Sequence, residues 1–275
     1  MGNFTSKALS GKTALITGGG GLLGPHHAIG LTSAGAKVIL ADINTVGLEI
    51  SKNKILEFND KAEIETIILD ITDLKSVTQF QNTYTKHNKY IDILVNNAAL
   101  NPTMKEVSTN ITGKIEDYDM HQWNNEINVG ITGAFICSRV FGARMAAEGN
   151  GVIINISSDL AIRAPDQRVY SPTMSFDDIE SYKPLGYSIV KTALIGMTRY
   201  LAEYWGHKNV RVNALLPGGV YNNQPQQLVD NVKKRTLLGR WAKVDEYEDA
   251  IVFLASESSA YMTGQSIVMD GGRSV

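Results

Sequence analysis

Short apolar runs alternate along the chain with longer stretches of mixed polarity, and their spacing predicts a layered fold of strands and helices. Lys12 to Thr17 reads as a buried strand running into glycines, and Lys37 to Asp42 as a second. Further strands are predicted over Ile64 to Asp70, Ile91 to Asn96, Val152 to Ser157, Val210 to Leu216 and Ser266 to Asp270. Helices are predicted from about Asp73 to His87, Asp119 to Ala147, through the stretch carrying Tyr187, and from Asp245 to Ala255. Such alternation implies one parallel sheet covered by helices on both faces, a doubly wound α/β fold. No repeat, low-complexity tract or linker divides it, so 1–275 reads as a single domain. Ligands of such sheets sit at the carboxyl ends of the strands, where Asp42, Asp70, Asn96, Ser157 and Pro217 fall.

The first strand leads into Gly18-Gly19-Gly20-Gly21-Leu22-Leu23-Gly24-Pro25. Proline is tolerated there because it falls in the first turn of a helix. Glycines let the backbone approach a pyrophosphate, which the free N–H groups and dipole of the helix then stabilise, as in Rossmann-like folds. A plain glycine turn is the competing reading. Asp42 follows Gly24 by eighteen residues, near where a carboxylate takes the two ribose hydroxyls of an adenosine. It would repel a 2′-phosphate, and Ile43-Asn44 bring no cation, so the expected cofactor is NAD and not NADP. The alternative is that Asp42 only caps the next helix.

Tyr187 and Lys191 stand four residues apart on a predicted helix, so the ammonium can lie one turn from the phenol. A free phenol, with a pKa near ~10, is a poor acid or base at neutral pH, and a nearby cation lowers that value. Tyr204 and Lys208 have the same spacing, although Gly206 between them suggests a helix end. Spacing alone leaves both pairs open.

A net charge of -2 and a pI of about 6.2 give no basic excess for a nucleic-acid backbone. Cys137 is the single cysteine, which excludes an intrachain disulfide and a cysteine-rich zinc site and points to a reducing compartment, the cytoplasm. No run reaches the ~18 apolar residues of a membrane span. Met1 to Lys7 lacks the apolar core of a signal peptide, although Gly2 and Ser6 fit a myristoylation pattern.

Taken in order, several motifs resemble the short-chain dehydrogenase/reductase family over nearly the whole chain. They are Thr17-Gly18 to Gly24; Asp70-Ile71; Asn96-Asn97-Ala98-Ala99; Asn155-Ile156-Ser157-Ser158; Tyr187 to Lys191; Arg211-Val212-Asn213 to Pro217-Gly218; and Thr263-Gly264-Gln265 with Asp270-Gly271-Gly272. The resemblance selects Tyr187 over Tyr204. It implies that Ser158 bonds the substrate oxygen, Tyr187 passes its proton, and Lys191 holds the nicotinamide ribose and lowers the Tyr187 pKa. Gly18, Leu23 and Gly24 would form the pyrophosphate turn around Asp42. Asp70 and Ile71 would flank the adenine, Asn97 would contact the adenosine ribose side, and Val220 would lie near the carboxamide. A homodimer or homotetramer is implied as well.

Four departures stand out. Leu22 takes the middle glycine of the turn, with Gly21 beside it; Ala99 replaces a glycine; and Val220 to Asn223 lack the usual threonine. Gly130 stands seven residues after Trp123 and three before Gly133, where the family has a relay asparagine that helps hold a water linking the active-site lysine to solvent. The variant turn, Gly130 and the segment Gly219 to Gln224 resemble a branch found with bacterial surface-sugar biosynthesis, including legionaminic-type sugars.

His26 and His27 read as packing or capping residues, since no third metal-type ligand is near. Ser158 and Tyr187 are separated by a charged insertion at about 163–182 carrying Arg163, Asp166, Arg168, Asp177, Asp178 and Glu180. It suits either a functional loop or an ordinary surface or subunit contact. Arg163 and Arg168 are candidates for holding an anionic substrate. Residues 219–240, with Lys233-Lys234-Arg235, suit a lid or a solvated face. The favoured expectation is an NAD-dependent oxidoreductase acting on a polar secondary alcohol or ketone, a sugar or sugar phosphate. An NAD-binding regulator without turnover and a reductase of apolar ketones are the alternatives.

Overall fold

In the computed structural model, which describes residues 7–86, 90–101, 114–179 and 181–275, the predicted alternation forms one parallel sheet. Its strands are β1 (Thr13–Thr17), β2 (Lys37–Asp42), β3 (Ile64–Ile68), β4 (Ile93–Asn96), β5 (Gly151–Ile156), β6 (Val210–Pro217) and β7 (Ser266–Met269). The strand order is β3-β2-β1-β4-β5-β6-β7 among the described residues. Chain order reverses between β1 and β4, where Ala14 pairs with Ile93 and Ile16 with Val95, and this reversal opens a crevice at the carboxyl edge.

Helices α1 (Gly24–Ser33), α2 (Thr45–Phe58), α3 (Leu74–Thr85), α4 (Met120–Ile127), α5 (Ala134–Glu148), α6 (Leu185–Trp205), α7 (Gln226–Lys233) and α8 (Glu248–Ala255) cover the sheet. Their ends follow local chemistry. Asn44, Asp73 and Asp119 cap α2, α3 and α4 with side-chain oxygens that accept backbone N–H bonds, and Gly149 closes α5 in the left-handed region. The central strands are buried on both faces, so they read as continuous apolar runs. One core cluster joins Ala28, Leu31 and Ile251 to Ile16, Leu40 and Ile154; another joins Phe141, Met145 and Trp205 to Leu15, Ile39 and Ile153.

Two differences from the sequence reading bear on the site. The single helix expected over 119–147 is α4 and α5 joined by a wide π turn, Asn128–Gly133. Gly130 lies buried in that turn against Val190 of α6, and the missing side chain lets the two helices approach. Within 219–240 the chain forms α7, whose Leu228 and Val232 pack on Val169 of the insertion. Gly2, Ser6, His87 and Glu180 lie outside the described residues.

Candidate active site

The carboxyl ends of the strands open into a cleft of about 690 Å³. At one end the glycine turn leaves β1 with Gly18 at φ +64°, and a Cβ there would stand 2.7 Å from Ala98 Cα, so only glycine fits. Asn97 Nδ2 donates to the carbonyls of Thr17 and Gly18 at 3.0 Å each, which commits its amide nitrogen to the turn while the residue still lines the cleft. Gly21 N–H donates to the Gly18 carbonyl and so serves the turn beside Leu22. Leu23 lines the cleft at the start of α1, whereas Gly24 packs beneath, where a Cβ would meet the Gly18 oxygen at 2.8 Å.

Asp42 ends β2 inside the cleft. Its Oδ2 accepts the Gly20 N–H and its Oδ1 the Asn44 N–H, each at 2.9 Å, so the carboxylate is held in one orientation. Asp70 lines the same end, with Oδ1 accepting from Thr72 N–H and Oγ1–H, and Ile71 is buried beside it. Ile43 is exposed, and no lysine or arginine lines this end among the described residues.

At the other end Ser158 follows β5 and caps a short 3-10 turn, Asp159–Ala161. Its Oγ donates to Asp159 Oδ1 at 3.0 Å and accepts the Leu160 N–H at 3.2 Å. Tyr187 and Lys191 project from α6 into the same cleft. Lys191 Nζ donates to the Ile156 carbonyl at 2.7 Å and lies 5.6 Å from the centre of the Tyr187 ring. Burial pushes the Tyr187 phenol up to about 12, against a lowering hydrogen bond from Ser158, and pushes the Lys191 ammonium down to about 8, with Lys183 adding to the fall. The expectation that Lys191 lowers the Tyr187 pKa is therefore corrected: burial raises it, and Lys191 is not among the groups that shift it. The ammonium is turned to a carbonyl, and the cost of burying a phenolate dominates.

A family model described as enoyl-(acyl carrier protein) reductase matches residues 23–274. The chain belongs to the short-chain dehydrogenase/reductase family. It is 30% identical to 2-dehydro-3-deoxy-D-gluconate 5-dehydrogenase of Bacillus subtilis, covering 96% of this chain and 95% of that protein. It is 32% identical to a 3-alpha-(or 20-beta)-hydroxysteroid dehydrogenase of Mycobacterium bovis, covering 97% and 91%. A short-chain dehydrogenase from Leptospira borgpetersenii with bound NAD+ superposes with a TM-score of 0.84 at 28% identity, covering 100% of this chain and 97% of that one. A gluconate 5-dehydrogenase from Burkholderia cenocepacia in complex with NADP and tartrate does so at 0.82 and 26%, covering 98% and 97%. The protein is thus an NAD(P)-dependent oxidoreductase of this family.

Beyond the family's motifs, the cleft holds residues that the sequence reading passed over. Lys183 Nζ sits 4.2 Å from the centre of the Tyr187 ring and donates to Asn101 Oδ1 at 2.6 Å. Arg273 Nη1 donates to the buried Asp159 Oδ2 at 3.0 Å, and Tyr170 lines the wall nearby. The available signals were local. Lys183 precedes Tyr187 by the same four residues by which Lys191 follows it, but Pro184 breaks the helical pattern; Arg273 follows the Asp270-Gly271-Gly272 motif.

The expected anion-holding role of Arg163 and Arg168 is corrected, since neither lines the cleft. The Arg163 guanidinium donates to the Arg273 carbonyl, and Arg168 donates twice to Asp166 at 2.9 Å. Asp166 also pairs with Arg235 of the Lys233-Lys234-Arg235 run at 2.6 Å. Asn231 of α7 donates to the carbonyls of Val169 and Ser171, which joins the insertion to the segment after β6 in one wall of the cleft. Val220 lines that wall, its carbonyl accepting from Gln224 Nε2.

Tyr204 is exposed and stacked on Tyr200, and neither it nor Lys208 lines the cleft. His26 bridges Glu248 and Lys54, each at 2.7 Å, while His27 is fully buried and held down to about 3 by that burial. Both are packing residues. No group of three metal-type ligands occurs among the described residues.

Proposed function

We propose that the protein is an NAD-dependent oxidoreductase interconverting a secondary alcohol and a ketone on a sugar or sugar phosphate. The observation that carries this is the meeting of Ser158, Tyr187 and Lys191 at one end of a cleft whose other end presents the fixed Asp42 carboxylate. A bound nicotinamide supplies the hydride acceptor for oxidation and the donor for reduction. The chain's own part is to orient and to move a proton. The Ser158 hydroxyl, whose hydrogen rotates away from Asp159 when substrate binds, donates to the substrate oxygen. In reduction the Tyr187 phenol, held protonated by burial, gives its proton to the substrate oxygen; in oxidation the phenolate takes it back.

The closed glycine turn fits a diphosphate approaching the α1 N-terminus, and Asp42 without a neighbouring cation fits an unmodified ribose diol. Resemblance to a surface-sugar branch and similarity to a gluconate 5-dehydrogenase support a polar substrate. A cytoplasmic homodimer or homotetramer belongs to the same reading.

A panel of sugars, polyols and their phosphates, followed by NADH absorbance, tests the substrate class. Fluorescence titration tests the cofactor: NADH should bind tighter than NADPH, and Asp42→Ala should cost about 1.5–3 kcal/mol of NAD binding. Equal or better NADPH affinity would overturn the choice of NAD. The regulator reading rests on Gly130; tight NAD binding with no turnover across the panel, and activity gained on Gly130→Asn, would favour it.

A further inference from the structure

Charge is divided along the cleft. Asp42 and Asp70 stand at the end formed by β2 and β3, whereas Lys183, Lys191 and Arg273 gather around Tyr187, with Asp159 as the one carboxylate there among the described lining residues. Arg273 and Asp159 are joined at 3.0 Å, so that pair is locally neutral. Lys191 is turned to the Ile156 carbonyl. Lys183 is different: no carboxylate lies within 4.0 Å of its ammonium among the described residues, and its side-chain partner is the neutral Asn101 amide. Glu126, the acid with the greatest influence on it, is buried and already accepts from Tyr118 and Gln122.

We infer that Lys183 determines specificity by binding an anionic group, carboxylate or phosphate, carried by the substrate whose alcohol or ketone meets Tyr187. The inference rests on the dehydrogenase reading above for which atom reacts, and on the geometry of Lys183 for what else the site recognises. The ammonium stands over the Tyr187 ring, 4.2 Å from its centre, so an anion held there lies beside the phenol hydroxyl and fixes which hydroxyl of a polyol reaches Ser158 and Tyr187. Burial pushes the Lys183 ammonium down to about 8, a cost that an incoming anion would relieve. The two arginines of the insertion cannot serve instead, being bonded within the protein.

The test is calorimetric titration of the NADH-saturated protein with D-glucitol, D-gluconate and D-glucitol 6-phosphate, which share a carbon skeleton and differ in charge. An alcohol does not react in a complex with reduced cofactor, so binding is read without turnover. At least one anion should bind about tenfold tighter than glucitol, the scale of a charge-assisted hydrogen bond. The tighter of the two identifies carboxylate or phosphate. Lys183→Gln should shrink the advantage to below about threefold by removing that bond, and Lys183→Arg should keep most of it. Glucitol affinity should move little in either variant. Equal binding of the three compounds, no binding of either anion, or an undiminished advantage in Lys183→Gln would overturn the inference. Failure of NAD-linked turnover across the sugar panel would instead remove the dehydrogenase reading, with the calorimetric result still deciding the role of Lys183.

Discussion

Replacing Gly130 by asparagine restores the family's relay side chain at a place with no room for it. A Cβ at Gly130 would collide with Val190 Cγ1 and lie 3.0 Å from its Cγ2 and 3.2 Å from its Cβ. Val190 is buried and branched, so it cannot swing aside freely. Overpacking of this kind costs about 1–3 kcal/mol, and asparagine recovers only a few tenths through its better helix propensity. For a chain of this size, that corresponds to a fall in melting temperature of roughly 2–10 °C. Turnover is expected to fall by less than about tenfold, about 1.4 kcal/mol, because the native protein works without the asparagine. Gly130→Asn, Val190→Ala and the double variant should be compared by urea unfolding and by steady-state rates. Val190→Ala opens the space that asparagine needs, so the double variant should be more stable than the sum of the singles by at least about 1 kcal/mol. Additive losses, or a Gly130→Asn protein as stable as wild type, would refute the packing explanation for the glycine.

Tyr187→Phe should lower turnover by about 10²–10⁴-fold with NADH affinity kept, while Tyr204→Phe, on the exposed face of α6, should do little. Similar losses in both variants would sink the assignment of Tyr187. The buried Lys191 should also shape stability. Its folded value of about 8 lies below the unfolded 10.5, so the unfolded chain binds the extra proton between those values and stability falls as pH drops from 10.5 to 8. Lys191→Met should flatten that slope in cofactor-free melts recorded across the window, and an unchanged slope would contradict the burial of the charge.

Strands and the glycine turn were legible because their signals are local. An apolar run buried on both faces, a positive-φ glycine and a carboxylate at a strand end each leave a mark within a few residues, and β2 matches its expected bounds, Lys37 to Asp42. The π turn left no such mark, and the close approach of its Gly130 to Val190 joins residues sixty apart in sequence. Arg163 and Arg168 read as anion binders by residue type alone; their partners, the Arg273 carbonyl and Asp166, decide otherwise. Tyr187 and Lys191 were brought into one cleft as their spacing suggested, but the phenol's shift went the other way because burial is set by tertiary structure. Lys183 and Arg273 left only faint local signals, because what they meet is set by tertiary structure, the Asp159–Arg273 pair joining residues 114 apart in sequence.

The pairing of β1 with β4 sets Ala14 beside Ile93, and the cleft borrows its walls from residues as distant as Gly18 and Arg273. The nucleotide end, Gly18 to Asp70, and the reacting end, Ser158 to Lys191, lie far apart in sequence, and Arg273 completes the wall only at the last strand. Such long-range closure makes assembly slow and all-or-none, so the ability to hold the cofactor should appear only when the sheet is complete. The converse follows from mass action: a dinucleotide bound across the reversal would tie both halves of the sheet together, and its binding should slow hydrogen exchange in strands away from it.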